Sequence, residues 1–253
     1  MDKLSFLRAQ AAVLGEGIAR EGIGTLSERA LHHILKLAVE PNEALHEKKM
    51  LGSVADIVNA DGITEVQTRA FERLVPKLKR FLPEYPVTVL YPIARQKRLH
   101  WIDPETKEIS PPRKSPKRGK PSDAFYELYK IRAFLGNENL SIRLVFLDME
   151  EYKYQNGYGK EKKRGAPRIE RIPTAFCEEI ALSSREDYRI FLPETLGEEF
   201  TAKQYAKAIG QKPRYAYLGL RILKDCFGLI SHARTEGREY VYKVEKQEYA
   251  NKA

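Results

Sequence analysis

The four residues Asn59-Ala60-Asp61-Gly62 separate two short, β-branched runs, and they restrict the fold more than any other stretch of the chain. An Asp-Gly pair favours a tight hairpin because glycine takes a positive φ without a steric clash. The flanking runs, residues 52–58 and 63–68, are therefore expected as antiparallel neighbours, with a further strand near 45–50. Helices bracket this group. Residues 25–39 place Leu26, Ala30, Ile34 and Leu37 at helical spacing, and Pro41 closes the run. Residues 69–82 do the same with Phe71, Leu74, Leu78 and Phe81. Residues 86–93 read as a buried strand, and residues 1–24 as one amphipathic helix or two short ones broken at Gly22 and Gly24. Alternating helices and strands of this kind point to an α/β fold, a mixed sheet flanked by helices.

The hairpin also sets the chemistry. With Asp61-Gly62 as a two-residue loop, Val58 faces Glu65 and Asp56 faces Gln67, so Asp56, Glu65 and Gln67 share one face. With a loop of residues 59–62, Asp56 lies directly opposite Glu65. The two carboxylates share a face in either register. Carboxylates crowded across strands repel each other unless a cation or a base compensates. Oxygen ligands of this type suit Mg²⁺ or Mn²⁺, and such an ion polarises a phosphate and acidifies an attacking water. The plainer reading is a surface hairpin with polar residues facing solvent.

The remainder of the chain is rich in positive charge. Its formal net charge is +9, which favours a polyanionic partner, nucleic acid before an anionic membrane, unless it serves only solubility. Residues 97–121 read as a basic, proline-rich loop containing Arg113, Lys114, Lys117, Arg118 and Lys120. A second basic loop, residues 152–171, mixes Tyr152, Tyr154 and Tyr158 with Lys160, Lys162, Lys163, Arg164 and Arg168. Such loops either track a phosphate backbone or are simply solvated. Residues 122–135 are expected as a helix and 141–147 as a strand. Cys177 and Cys226 have no ligand-spaced partner, which argues against a disulfide scaffold or a zinc site and for a reducing compartment. No apolar run approaches the roughly 18 residues that span a bilayer, and the first residues lack a signal-peptide pattern. A cytoplasmic location follows as the expectation.

The order helix, three strands with a carboxylate on the second and Glu-x-Gln on the third, then helix and strand, resembles the PD-(D/E)XK phosphodiesterase superfamily, which includes restriction enzymes and junction resolvases. The resemblance covers residues 25–93. It implies a restriction-endonuclease-like domain over 1–192, with Asp56 and Glu65 holding Mg²⁺ or Mn²⁺ and Gln67 helping to orient the attacking water. The family's lysine is replaced here by Gln67, which supplies no charge and cannot titrate. Lys77 or Lys79 on the following helix is a candidate for that role, and an inactive nuclease fold that only binds DNA is the alternative. The resemblance also implies a possible third metal ligand in Glu28, although Thr25-x-x-Glu28 is equally a capping box. Glu47 is a further candidate or a solvated strand residue, His32 and His33 read as surface or boundary residues, and Asp61 belongs to the turn.

Residues 198–246, beyond a linker near 193–197, are expected as helix, turn, helix and hairpin, an order that resembles a winged helix-turn-helix. The second helix, 215–227, would present Arg214, Tyr215, Tyr217, Arg221 and Lys224, with Arg234 and Arg238 on the wing. Such a domain either docks DNA or pairs with protein. These readings together describe a metal-dependent endonuclease acting on duplex or branched DNA, with a homodimer implied if both strands are cut. The alternative is a DNA-binding or regulatory protein on a degenerate nuclease fold.

Overall fold

The computed structural model describes residues 1–15, 29–154 and 168–246. In chain order its elements are α1 (Lys3–Leu14), α2 (Arg29–Val39), β1 (His46–Met50), β2 (Ser53–Asn59), β3 (Gly62–Val66), α3 (Val75–Phe81), β4 (Val87–Ile102), β5 (Arg113–Lys114), α4 (Phe125–Lys130), β6 (Leu140–Tyr154), β7 (Arg168–Leu182), β8 (Glu199–Thr201), α5 (Ala202–Ile209), α6 (Pro213–Arg221), β9 (Ile230–Glu236) and β10 (Glu239–Val244). The fold is mixed α/β. Its described strands form a seven-stranded sheet ordered β1-β2-β3-β4-β6-β7, with β5 beside β4, and a three-stranded sheet ordered β8-β10-β9. No helix among the described residues is long and apolar enough to cross a membrane.

The chain divides into two compact units that alternate along the sequence. The first takes Met1–Thr68, Thr88–Lys120 and Arg143–Ile180; the second takes Arg69–Val87, Pro121–Ile142 and Ala181–Ala253. The boundary expected near 193–197 therefore lies within the second unit. Residues 69–87 and 121–142, read from the sequence as parts of the N-terminal domain, also belong to it.

In the first unit, α1 is capped by Asp2, whose side chain accepts the Ser5 N–H at 2.8 Å. It packs Phe6 and Ala9 against the Leu31, Ile34, Leu35 and Ala38 face of α2, over Val66, Leu90, Val145, Leu147 and Met149 of the sheet. The hairpin is present with its turn one residue earlier than the Asp61-Gly62 loop considered above. Asn59 pairs with Gly62, so Ala60 and Asp61 make the turn. The Asn59 side chain stabilises it by accepting the Asp61 N–H at 3.1 Å, and Gly62 opens β3 at φ 114°, a value that favours glycine.

Three strands are longer than hydropathy implies. The region read as a loop at 97–121 is partly ladder: β4 continues to Ile102, and Arg98 and Leu99 pair with Lys114 and Arg113. β6 likewise runs on to Tyr154, and β7 occupies 168–182, where no strand was expected. β7 lies at the end of the described strand order, an edge position that tolerates Pro173. Its carbonyl accepts Gln10 Nε2 at 2.7 Å. The helix expected from residue 69 begins later, because Ala70 adopts φ 58° and the chain passes through a 3₁₀ turn before α3.

In the second unit, Thr201 and Gln204 form a reciprocal capping box at the start of α5, and Gly210 ends that helix. α6 leads into a π turn at Ile222–Cys226. Phe125 of α4 packs 4.7 Å from Phe191, and Tyr188 stacks 3.8 Å from Phe227. The β9–β10 hairpin turns at Gly237 and Arg238.

Candidate functional site

The strand registers bring acidic residues together. Ile57 faces Thr64, and the same register one step on sets Asp56 opposite Glu65. On the other side of β2, His46 pairs with Ile57 and Lys48 with Ala55, which brackets Glu47 opposite Asp56. Glu47, Asp56 and Glu65 thus occupy one row across β1, β2 and β3. Their environments differ sharply: the Glu47 side chain is 71% exposed, that of Asp56 17%, and Glu65 as a whole residue only 1%.

α2 supplies the basic side of this row. His32 and Lys36 are four residues apart, so they share one helix face. His32 Nε2 lies 3.2 Å from Asp56 Oδ2, which also accepts the Val66 N–H at 2.8 Å. Lys36, buried along its stem at 6% exposure, donates to Glu47 Oε1 at 2.9 Å. That hydrogen bond and the Lys36 charge hold the Glu47 carboxyl below its ordinary 4.5, while the negative charge of Asp56 acts in the opposite direction. His32, His33, Lys36, Glu43, His46, Glu47 and Thr68 line a cleft of about 740 Å³.

His32, read from the sequence as a surface or boundary residue, is therefore a direct partner of Asp56. Lys36 was missed altogether. The sequence shows only that Lys36 lies one turn beyond His32 on the same helix face, and not which strand that face meets. Gln67 follows the end of β3, and its backbone N–H donates to the Leu90 carbonyl at 2.9 Å. Lys77 and Lys79 lie on α3, in the second unit. Glu28 lies outside the described residues, as do Lys160, Lys162, Lys163 and Arg164. Arg168 begins β7, and its side chain is likewise not described. Among the described residues no group of three or more His, Cys, Asp or Glu side chains is placed to hold a metal ion. Two oxygen-bearing side chains nevertheless fit Mg²⁺, which keeps most of its water shell and takes one or two carboxylates. Asp56 and Glu65, the two carboxylates the sequence offers as metal ligands, are neighbours across β2 and β3.

In the second unit, Arg214, Tyr217 and Arg221 are exposed on α6 at spacings of three and four residues, one continuous face. Arg214 stacks 4.5 Å over the Tyr215 ring, and Tyr215 packs edge-on to Tyr126 at 6.1 Å. Arg238 is exposed at the hairpin turn, whereas Arg234 is held by Glu199 and Glu236.

Residues 29–183 match the family described as a domain of unknown function, DUF8091. The chain belongs to this family. The matched segment contains Asp56, Glu65 and Gln67 and stops short of α5 and α6. The chain is also similar to an uncharacterized protein of Treponema pallidum (strain Nichols), 34% identical over 148 residues. The alignment covers 58% of this chain and 58% of that relative, so the chain spans a little over half of the relative's length. No solved structure matches the chain.

Proposed function

We propose that this DUF8091 chain is a metal-dependent phosphodiesterase that cleaves DNA, its first unit a PD-(D/E)XK-type nuclease and residues 198–246 a winged helix-turn-helix that docks the substrate. The observation that carries this reading is Glu65, 1% exposed and opposite Asp56. A carboxylate taken out of water needs a cation, hydrogen bonds or a function that rewards its position. Asp56 and Glu65 would hold Mg²⁺ or Mn²⁺. The ion, when bound, neutralises phosphate charge and acidifies a water molecule. The chain's own groups act around that point. Val66 N–H and His32 fix the Asp56 carboxylate through Oδ2, which keeps its orientation constant. Gln67 can orient water through its amide, and Lys36, held by Glu47, lies on the cleft wall where an anionic backbone would enter. Arg214, Arg221 and Arg238 would contact phosphates without reading sequence.

Cleavage of plasmid and branched DNA with Mg²⁺ or Mn²⁺ tests the reading, alongside Glu65→Gln and Asp56→Asn. Both substitutions keep the side-chain shape. Cutting should fall by at least about a hundredfold in each, and the gain in thermal stability on adding Mn²⁺ should disappear. Gln67, which brings no charge to the position where the family has lysine, favours a second reading, a DNA binder without catalysis. Salt-sensitive DNA binding with no cutting and no Mn²⁺ response would decide for it.

A further inference from the structure

A second concavity, of about 530 Å³, lies between α6 with its π turn and the β9–β10 hairpin. Its chemistry differs from that of the cleft lined by His32, Lys36 and Glu47. Tyr217 and Tyr240 are large aromatic residues left 46% and 52% exposed at its walls, and Leu220 and Tyr242 line it from buried positions. Arg221 and Lys224 bring two cations, with Asp225 at 3.4 and 3.7 Å from them, so the balance at the rim is positive.

A β-bulge builds this arrangement. Tyr240 pairs with Thr235, Val241 with Arg234 and Tyr242 with His232, so the register skips Ala233. Residues 232 and 235 would face opposite ways in a regular strand; the extra residue turns His232 to the side of Thr235. His232 Nε2 then lies 3.2 Å from Thr235 Oγ1, and its ring meets Tyr240 edge-on at 4.8 Å. Tyr240 and Tyr242, two residues apart, also share a side of β10. The outcome is a wall of aromatic rings facing α6, with the guanidinium and ammonium at its edge.

We propose that this pocket receives one unpaired nucleotide of a DNA strand, its base stacked on Tyr240 and Tyr217 and its phosphate held by Arg221 and Lys224. Every base offers a π face, so exposed tyrosines beside cations suit single-stranded nucleic acid of any sequence. The volume lies within the range of small-ligand sites. Asp225 holds the two cations in place and leaves a net positive charge for one phosphate. This rests on the DNA-binding part of the proposed function and adds to it a preference for ends, gaps or branches, where unpaired bases occur.

Fluorescence anisotropy of the full chain can compare a labelled blunt duplex with the same duplex carrying an unpaired oligothymidine tail, in metal-free buffer so that neither is cut. The tail should tighten binding about tenfold. Tyr240→Leu should remove most of that ratio and Tyr240→Phe should keep it. Equal affinity for the two DNAs, or a ratio that survives Tyr240→Leu, would overturn the assignment. If the blunt duplex binds and the tail adds nothing, the pocket proposal alone fails. If neither DNA binds, the DNA reading fails and the pocket proposal with it.

Discussion

A carboxylate that leaves water must be met by cations or N–H donors, and this chain meets that demand differently at each site. Asp56 takes a histidine and a backbone amide; Glu47, still largely in solvent, takes Lys36. Glu151 is the clearest structural case, 3% exposed with Lys97 at 3.1 Å and Lys153 at 3.0 Å. Burial pushes its carboxyl up, and the two ammonium groups outweigh burial, so it ends below its ordinary 4.5. A carboxyl lowered on folding adds stability that is present above its unfolded pKa and is lost as pH falls through the folded value. Glu151→Gln should therefore lower stability by roughly 1–2 kcal/mol at neutral pH, discounted for the partly exposed lysines. Thermal unfolding from neutral to acid pH checks this, because the gap to the parent chain should close below about pH 4.5. A gap independent of pH would show that the ion pairs contribute nothing. The contrast between Glu151 and the Asp56–Glu65 pair also shows what single residues reveal. Strand alternation made Asp56 and Glu65 legible as neighbours. His32 and Lys36 were not, because helix spacing tells which side chains share a face but not which strand that face meets.

Local turn chemistry was the most legible signal at the scale of elements. The Asn59–Gly62 hairpin, the Thr201–Gln204 cap and the β9–β10 hairpin all have residue types with a specific backbone role, and all three are present. The long strands were illegible for a physical reason. The far half of β4 and β7 carry charged residues and Pro173, because half-exposed or edge positions put no hydrophobic demand on them. Contacts between elements are likewise invisible in one sequence, and Gly219 is an example. It lies on α6, where alanine would normally favour the helix by about 1 kcal/mol. A Cβ there would fall 2.4–2.7 Å from three carbons of the Phe125 ring, which is fully buried and packed against Phe191. Overpacking of that kind costs about 1–3 kcal/mol, so Gly219→Ala should destabilise despite the gain in propensity. A urea midpoint that fell would support this sign; one that rose would mean α4 and α6 are packed more loosely than described.

The whole chain is organised by units that do not follow sequence order, and this was the least legible feature of all. A composition change near 193–197 marks a plausible linker, yet the second unit also draws on residues 69–87 and 121–142. The aromatic packing explains why. Tyr205, fully buried, donates its hydroxyl to the Phe191 carbonyl at 3.0 Å. Phe227 stacks on Tyr188 at 3.8 Å, and Gly219 lies against Phe125. Phe125, Tyr188 and Phe191 all precede residue 198. A fragment of residues 198–246 would keep both helices and the three-stranded sheet but lose these rings, leaving the Tyr205 hydroxyl without its acceptor. Truncating one large buried aromatic side chain costs about 3–5 kcal/mol, and a whole domain is stable by only about 5–15 kcal/mol. The fragment should therefore show a poorly dispersed amide spectrum and no cooperative melting transition, where the full chain shows both dispersion and cooperativity. Restoring residues 181–197 would return Tyr188 and Phe191 but not Phe125, so recovery should be partial, with a lower midpoint than the full chain. A fragment of 198–246 that melts cooperatively would mean that the helices and sheet are self-sufficient and that the early residues only pack against a domain already folded. The winged-helix reading would then apply to an independent module. If the fragment fails, the proposed docking of DNA by α6 would depend on residues gathered from three parts of the chain.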